Sequence, residues 1–136
     1  MTGRLGDWGR KIVGGVAGVS LVVTTSCLSE RSTGPGVDLS GCNVDLPADA
    51  FGSTIVVIRN FTFEPAQVRV AAGGKVTWVN CEAPGTDSHT STADAGAWSS
   101  PLLAPGATFV RQFSTAGNFA YHCEPHPGMR ASVIVE

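Results

Sequence analysis

The stretch YHCEPHPGMR, residues 121–130, holds Cys123, His126 and Met129 within seven positions of a chain that has only three histidines and two methionines. Thiolate and thioether are soft donors, imidazole is borderline, and no carboxylate belongs to the set. Zinc uses cysteine and histidine but has little use for methionine. Two histidines and one cysteine with a weak axial methionine suit a blue-copper centre instead. Cu(I) favours the soft donors and Cu(II) accepts the imidazoles, so one set of ligands serves both oxidation states.

The order of residues says which donors converge. In a strand over 118–123 the side chains alternate, so Phe119, Tyr121 and Cys123 share the core face and His122 points outward to solvent. The strand cannot run on past Cys123, because Pro125 and Pro127 each hold the preceding residue extended. Gly128 is free to take a conformation that other residues avoid. Such a stiff loop turns His126 and Met129 back toward the Cys123 sulfur. A fourth group is needed to close the site, and His89, in the long polar stretch 81–106, is the histidine left unassigned.

The elements that must position these groups read as short strands. TIVVIRN (54–60) is β-branched and apolar. QVRV (67–70), KVTWVN (75–80), ATFVRQF (107–113), NFAYHC (118–123) and ASVIV (131–135) alternate or run apolar between turns. Val76, Trp78 and Asn80 fall on one face, and one further strand is expected near HTST (89–92). Strands at this spacing with no helical period predict an all-β, antiparallel sandwich or barrel. Asn60-Phe61-Thr62 fits a glycosylation sequon, read here as a chance tripeptide at a strand end.

Ahead of these strands the chain changes character. Residues 1–27 read as an export signal: Arg4, Arg10 and Lys11 precede the apolar run 12–23, too short to span a bilayer comfortably. The TTSC end admits either ordinary cleavage or lipoprotein processing, with Cys27 as the acylated residue. Residues 28–41, rich in Gly, Ser, Thr and Pro, read as a flexible tether reaching at most about 45 Å at full stretch. Residues 42–136 are then the copper-binding domain. Six Lys or Arg face ten Asp or Glu beyond Cys27, which offers no basic patch for nucleic acid. Membrane contact is expected only through an anchor at Cys27, with the protein in the periplasm or on the outer face of the cell membrane. An oxidising compartment pairs spare thiols. With Cys27 and Cys123 otherwise engaged, Cys42 and Cys81 are expected to form a disulfide, the alternative being a buried thiol at Cys81.

Cys123-x-x-His126-x-x-Met129 within YHCEPHPGM, preceded by AGNF and an upstream histidine, resembles the cupredoxin (blue copper protein) family of plastocyanin and azurin. Its short loop is most similar to those of amicyanin and pseudoazurin. The resemblance covers about residues 52–136 and includes PGATFVRQFSTAGNFAYHC and FTFEPAQVRVAAGGKVTWVN. It implies a Greek-key β-sandwich of about seven to eight strands, one copper ion cycling between Cu(I) and Cu(II), and shuttling of single electrons between redox partners. Carried over by position, the ligands are His89, Cys123, His126 and Met129. Two departures stand out. Thr90 occupies the place where many members have asparagine, and its hydroxyl is expected to tie the two ligand loops together. The segment 81–88 is also longer than in the compact members.

Other readings fare worse. Taking Cys123 as an idle thiol, Met129 as core filling and the histidines as surface requires four donors to coincide by chance. Three histidines cannot build a multicopper oxidase cluster, and four donors leave no open position for a substrate, so no enzyme is expected. A copper carrier that hands its ion on uses the same donors but favours exposed, flexible ligands. The proline-flanked loop and a cysteine on a core strand favour retention. The chain is read as a monomer serving redox proteins: a dehydrogenase, a cytochrome or a membrane oxidoreductase. His126 is expected to present a ring edge at the surface, framed by a small apolar patch of Pro84, Leu102, Pro105, Pro127 and Gly128 that suits transient docking.

Overall fold

A computed structural model describes residues 37–136, so residues 1–27, read from the sequence as an export signal ending at Cys27, and most of the stretch read as a tether lie outside the described residues. Among the described residues, one 3-10 turn at Ala48–Ala50 is followed by eight strands. They are β1 (Thr54–Arg59), β2 (Thr62–Glu64), β3 (Gln67–Val70), β4 (Lys75–Asn80), β5 (Thr92–Ala93), β6 (Thr108–Gln112), β7 (Gly117–His122) and β8 (Arg130–Val135). Two four-stranded sheets pack face to face, with orders β2-β1-β4-β6 and β3-β8-β7-β5.

The sheets are mixed, not antiparallel as the turn signals suggested. β1 runs parallel to β4, with Val56 opposite Trp78, and β3 runs parallel to β8, with Val68 opposite Val133. Turn residues report only on sequential neighbours. Here the chain leaves the first sheet after β2, lays β3 in the second, and returns as β4 beside β1, and parallel partners need such a crossover. β2 was also absent from the sequence reading. It pairs with β1 across the two-residue turn Asn60-Phe61, register Arg59 opposite Thr62.

The main core fills the space between the sheets. Trp78, Tyr121, Val56, Ile58, Val76 and Val133 are fully or almost fully buried there, joined by Phe63, Phe113, Trp98, Cys123 and Met129. Trp78 and Tyr121 meet edge to face, with ring centroids 5.5 Å apart. Burial pushes the Tyr121 phenol well above its usual pKa, so it stays neutral at any physiological pH.

A second cluster covers the outer face of the first sheet. Val57, Val79 and Cys81 lie beneath Val37, Leu39, Cys42 and Val44, which belong to the segment before the first strand. This is why β4 is buried on both faces from Val76 to Asn80 instead of alternating with solvent. Val37 and Leu39 fall in the stretch read as tether, yet they pack against this sheet. The Cys42–Cys81 disulfide fastens the cover to the end of β4. Keeping Val57 and Val79 out of water is worth on the order of 2 kcal/mol each.

Candidate metal centre

Two chain segments bring the donors together. The first leaves the end of β4, and the short strand β5 then pairs with β7, setting Thr92 opposite His122 and Ala93 opposite Tyr121. His89 and Thr90, just before β5, therefore run alongside Cys123, just after β7. The His89 backbone is clamped by reciprocal bonds with Leu103: its N–H donates to the Leu103 carbonyl at 3.0 Å and its carbonyl accepts at 2.8 Å. Leu103 is held in turn by Asn80 at the end of β4, whose Nδ2 donates to the same carbonyl at 2.8 Å.

The second segment is the loop between β7 and β8. The His126 N–H donates to the Cys123 carbonyl at 3.2 Å and the Met129 N–H to the His126 carbonyl at 2.8 Å. The Cys123 N–H closes the loop on the Met129 carbonyl at 3.1 Å. Two tight turns in succession thus fold seven residues back on themselves. Gly128 does not take a left-handed conformation, since its φ is not positive, although the sequence allows it one. Pro127 starts the second turn with its ring-locked φ, and ordinary backbone completes it.

The donor atoms of His89, Cys123 and His126 all lie within 4.8 Å of one another. The Cys123 Sγ is 3.6 Å from Nδ1 of His89 and 3.6 Å from Nδ1 of His126. A first-row ion bound at roughly 2.0 Å to imidazole and 2.3 Å to thiolate would hold such donors about 3.7 Å apart, at angles near 120°. The spacing fits. Cys123 and His89 are fully buried, Met129 is 5% exposed and packs in the same core cluster, and the His126 side chain is 26% exposed. Among the described residues Cys123 is the free cysteine, Cys42 and Cys81 being bonded to each other. Among the described residues this is the only such group of potential metal ligands.

Burial holds the His89 imidazole below its ordinary pKa, with neighbouring His126 adding to the effect and Glu82 and Asp87 opposing it. A neutral imidazole is the form that can ligate a metal. Thr90 spans both segments. Its backbone N–H donates to the Cys123 sulfur at 3.3 Å, and its hydroxyl accepts from the Glu124 N–H at 2.9 Å. His122 faces away from the core, but its side chain is only 25% exposed, because Nδ1 pairs with Asp94, which also binds Arg130.

The residues read as a docking patch are spread over several neighbouring elements. Pro84 and Pro105 line a cavity of about 70 Å³ together with Asn80 and Glu82. Leu102, 61% exposed, precedes the residue that clamps His89, and Pro127 and Gly128 are exposed on the ligand loop. Two neighbours of the site escaped the sequence reading. The Phe61 ring meets both His89 and His126 edge on, at centroid distances of 5.3 and 5.0 Å. Glu82 sits 3.5 Å from Nε2 of His89. Nothing local marked the first, since Asn60-Phe61 lacks the glycine that a two-residue hairpin turn favours.

Residues 52–136 match the copper binding proteins of the plastocyanin/azurin family. The chain is 35% identical over 89 residues to amicyanin of Paracoccus denitrificans, covering 64% of this chain and 68% of that protein. It is 32% identical over 127 residues to the chloroplastic plastocyanin of Tetradesmus obliquus, covering 85% and 87%. A solved structure of an oxidised amicyanin variant superposes with a TM-score of 0.58 at 30% identity, over 66% of this chain and 86% of that one. With an all-β sandwich, a buried free cysteine and two histidines at its end, the chain belongs to the plastocyanin/azurin family of copper-binding proteins.

Proposed function

We propose that residues 42–136 are a blue-copper electron carrier in which His89, Cys123, His126 and Met129 hold one copper ion. The observation that carries this reading is the preassembled group of His89, Cys123 and His126, converging in a buried pocket with the only free thiol among the described residues. When bound, copper supplies a one-electron Cu(I)/Cu(II) couple. The chain's own part is to keep the donors in place through the exchange. Cys123 is held by β7 and by the closing bond that its N–H donates to the Met129 carbonyl, and His89 by its clamp to Leu103. A frame that moves little when charge changes keeps the reorganisation small. The Thr90 N–H on the sulfur tempers the charge of the thiolate, one of the levers that sets a copper potential.

Retention, not delivery, suits this geometry. His89 and Cys123 have no exposed surface from which another protein could take the metal. His126 alone of the three offers a ring edge to solvent, which makes it the exit for an electron. The partners are redox proteins, among them a dehydrogenase, a cytochrome or a membrane oxidoreductase. They dock on the apolar surface formed by Pro84, Leu102, Pro105 and Pro127. Residues 1–27 direct export, Cys27 is the site of a lipid anchor, and residues beyond it tether the domain to the outer face of the membrane.

The test is to add Cu(II) to the purified domain and record visible and electron paramagnetic resonance spectra, then to cycle it between oxidation states in the presence of a chelator. An intense orange-red absorption with narrow copper hyperfine splitting, and metal retained through cycling, is the expected result. Loss of copper to the chelator on each reduction would favour the carrier. A Cys123→Ser variant with unchanged colour and affinity would overturn the assignment.

A further inference from the structure

His89 Nε2 is fully buried and lacks a hydrogen-bond partner among the described residues, and the polar group facing it is Glu82 Oε1, 3.5 Å away. The Glu82 side chain is itself only 8% exposed. It is fixed from two sides. Its own N–H donates to Oδ1 of Asn80 at 3.0 Å, and its Oε1 accepts from the Phe61 N–H at 2.9 Å. The second bond comes at a cost to the backbone. Asn60 and Phe61 have φ of 51° and 58°, and a bulky residue in the left-handed region is uncommon and strained. A glycine would relieve that strain, but it would remove the ring that packs edge on against both imidazoles.

We propose that Glu82 is a positioning residue for the metal centre. It accepts the Nε2–H of His89, fixes the tautomer that leaves Nδ1 free toward Cys123, and is itself held by the strained Asn60-Phe61 turn. A ligating imidazole commonly gives its other N–H to a carboxylate, which sets both the tautomer and the ring plane. The distances here assign the roles, since Nδ1 faces the sulfur and Nε2 faces the carboxylate. Phe61 does two things in this arrangement. Phe61 is 45% exposed: its N–H holds the carboxylate, and its ring stands against His89 and His126.

This inference rests on His89 being a ligand, and the experiment separates the two. Long-range ¹H–¹⁵N NMR on the metal-free native domain reads the tautomer of each imidazole without copper, and His89 is expected to be the Nε2–H form. Glu82→Gln keeps an acceptor and so keeps that tautomer, while the loaded protein shows a higher reduction potential because a negative charge near the site is gone. Glu82→Ala populates both tautomers and lowers copper affinity about 10- to 100-fold. An Nδ1–H tautomer in the native apo domain overturns the proposal, even if neither variant folds. So does a Glu82→Ala protein with the native tautomer and an affinity within about twofold of native. Failure of the native domain to form a blue site would defeat the electron-carrier reading and leave the tautomer result to stand alone.

Discussion

The backbone N–H of Thr90 donates to the sulfur of Cys123 at 3.3 Å, joining the segment that carries one histidine to the loop that carries the other. A second bridge lies beside it, because the Thr90 hydroxyl accepts from the Glu124 N–H at 2.9 Å. The first bond belongs to the backbone and survives most substitutions; the second belongs to the side chain. They can be tested apart.

Thr90→Val keeps the shape and the amide but leaves the Glu124 N–H without its partner. The apo domain should lose about 1 kcal/mol of stability, the usual net contribution of a hydrogen bond, here to the N–H of an exposed residue. The blue absorption should persist, since the bond to sulfur remains. Urea unfolding checks the first expectation, and a loss below about 0.5 kcal/mol would show that the hydroxyl bridge carries no load.

The disulfide between Cys42 and Cys81 closes a loop of 39 residues and pins the cover over Val57 and Val79. Chain-entropy arguments put such a link at about 4 kcal/mol, with typical values of 2–4 kcal/mol. The double variant Cys42→Ala with Cys81→Ala should therefore unfold at markedly lower urea while keeping its copper spectrum. Equal midpoints would mean that the cover holds by packing alone.

Acid should destabilise the metal-free domain through His89. Its pKa is lowered in the folded state, chiefly by burial, so the unfolded chain takes up the proton first. Stability from this residue is complete above the unfolded value, about 6.5, and is lost as the pH falls toward the lowered native value. Urea midpoints at several pH values should drop across that window in the native protein and drop less in His89→Gln. Identical slopes would remove His89 as the cause.

Leu102 is 61% exposed beside the His89 clamp, and Pro127 is exposed on the ligand loop. A lysine at either position should slow electron exchange between oxidised and reduced molecules about tenfold, by placing like charges and bound water in the contact. The copper spectrum should not change. NMR line broadening in mixtures of the two forms measures the rate, and an unaffected rate would take this surface out of the electron path.

The chemistry of the site was legible in the sequence because it is local. Cys123, His126 and Met129 lie on one loop whose prolines dictate its stiffness, and the period of two places Cys123 inward and His122 outward. The strands around them carry their own apolar patterns, and six of the eight coincide with stretches that those patterns mark, while β5 overlaps the strand expected near HTST only at Thr92. Thr90 could be named from its place after His89. His89 itself came from elimination and likeness, since nothing local ties a residue in a long polar stretch to a loop more than thirty positions later.

What the tertiary structure alone decided is everything that depends on pairing between distant segments. Turn residues cannot report that β1 lies parallel to β4, nor that the segment before β1 covers the outside of the same sheet. Glu82 and Phe61 look like an ordinary charge and an ordinary apolar residue in the sequence. They become neighbours of His89 only because the β1–β2 turn and the end of β4 meet at one end of the sandwich. Periodicity determines which way a side chain points from its own strand. Which other side chain it meets is determined by the packing of the two sheets, a property of the whole chain and of no window within it.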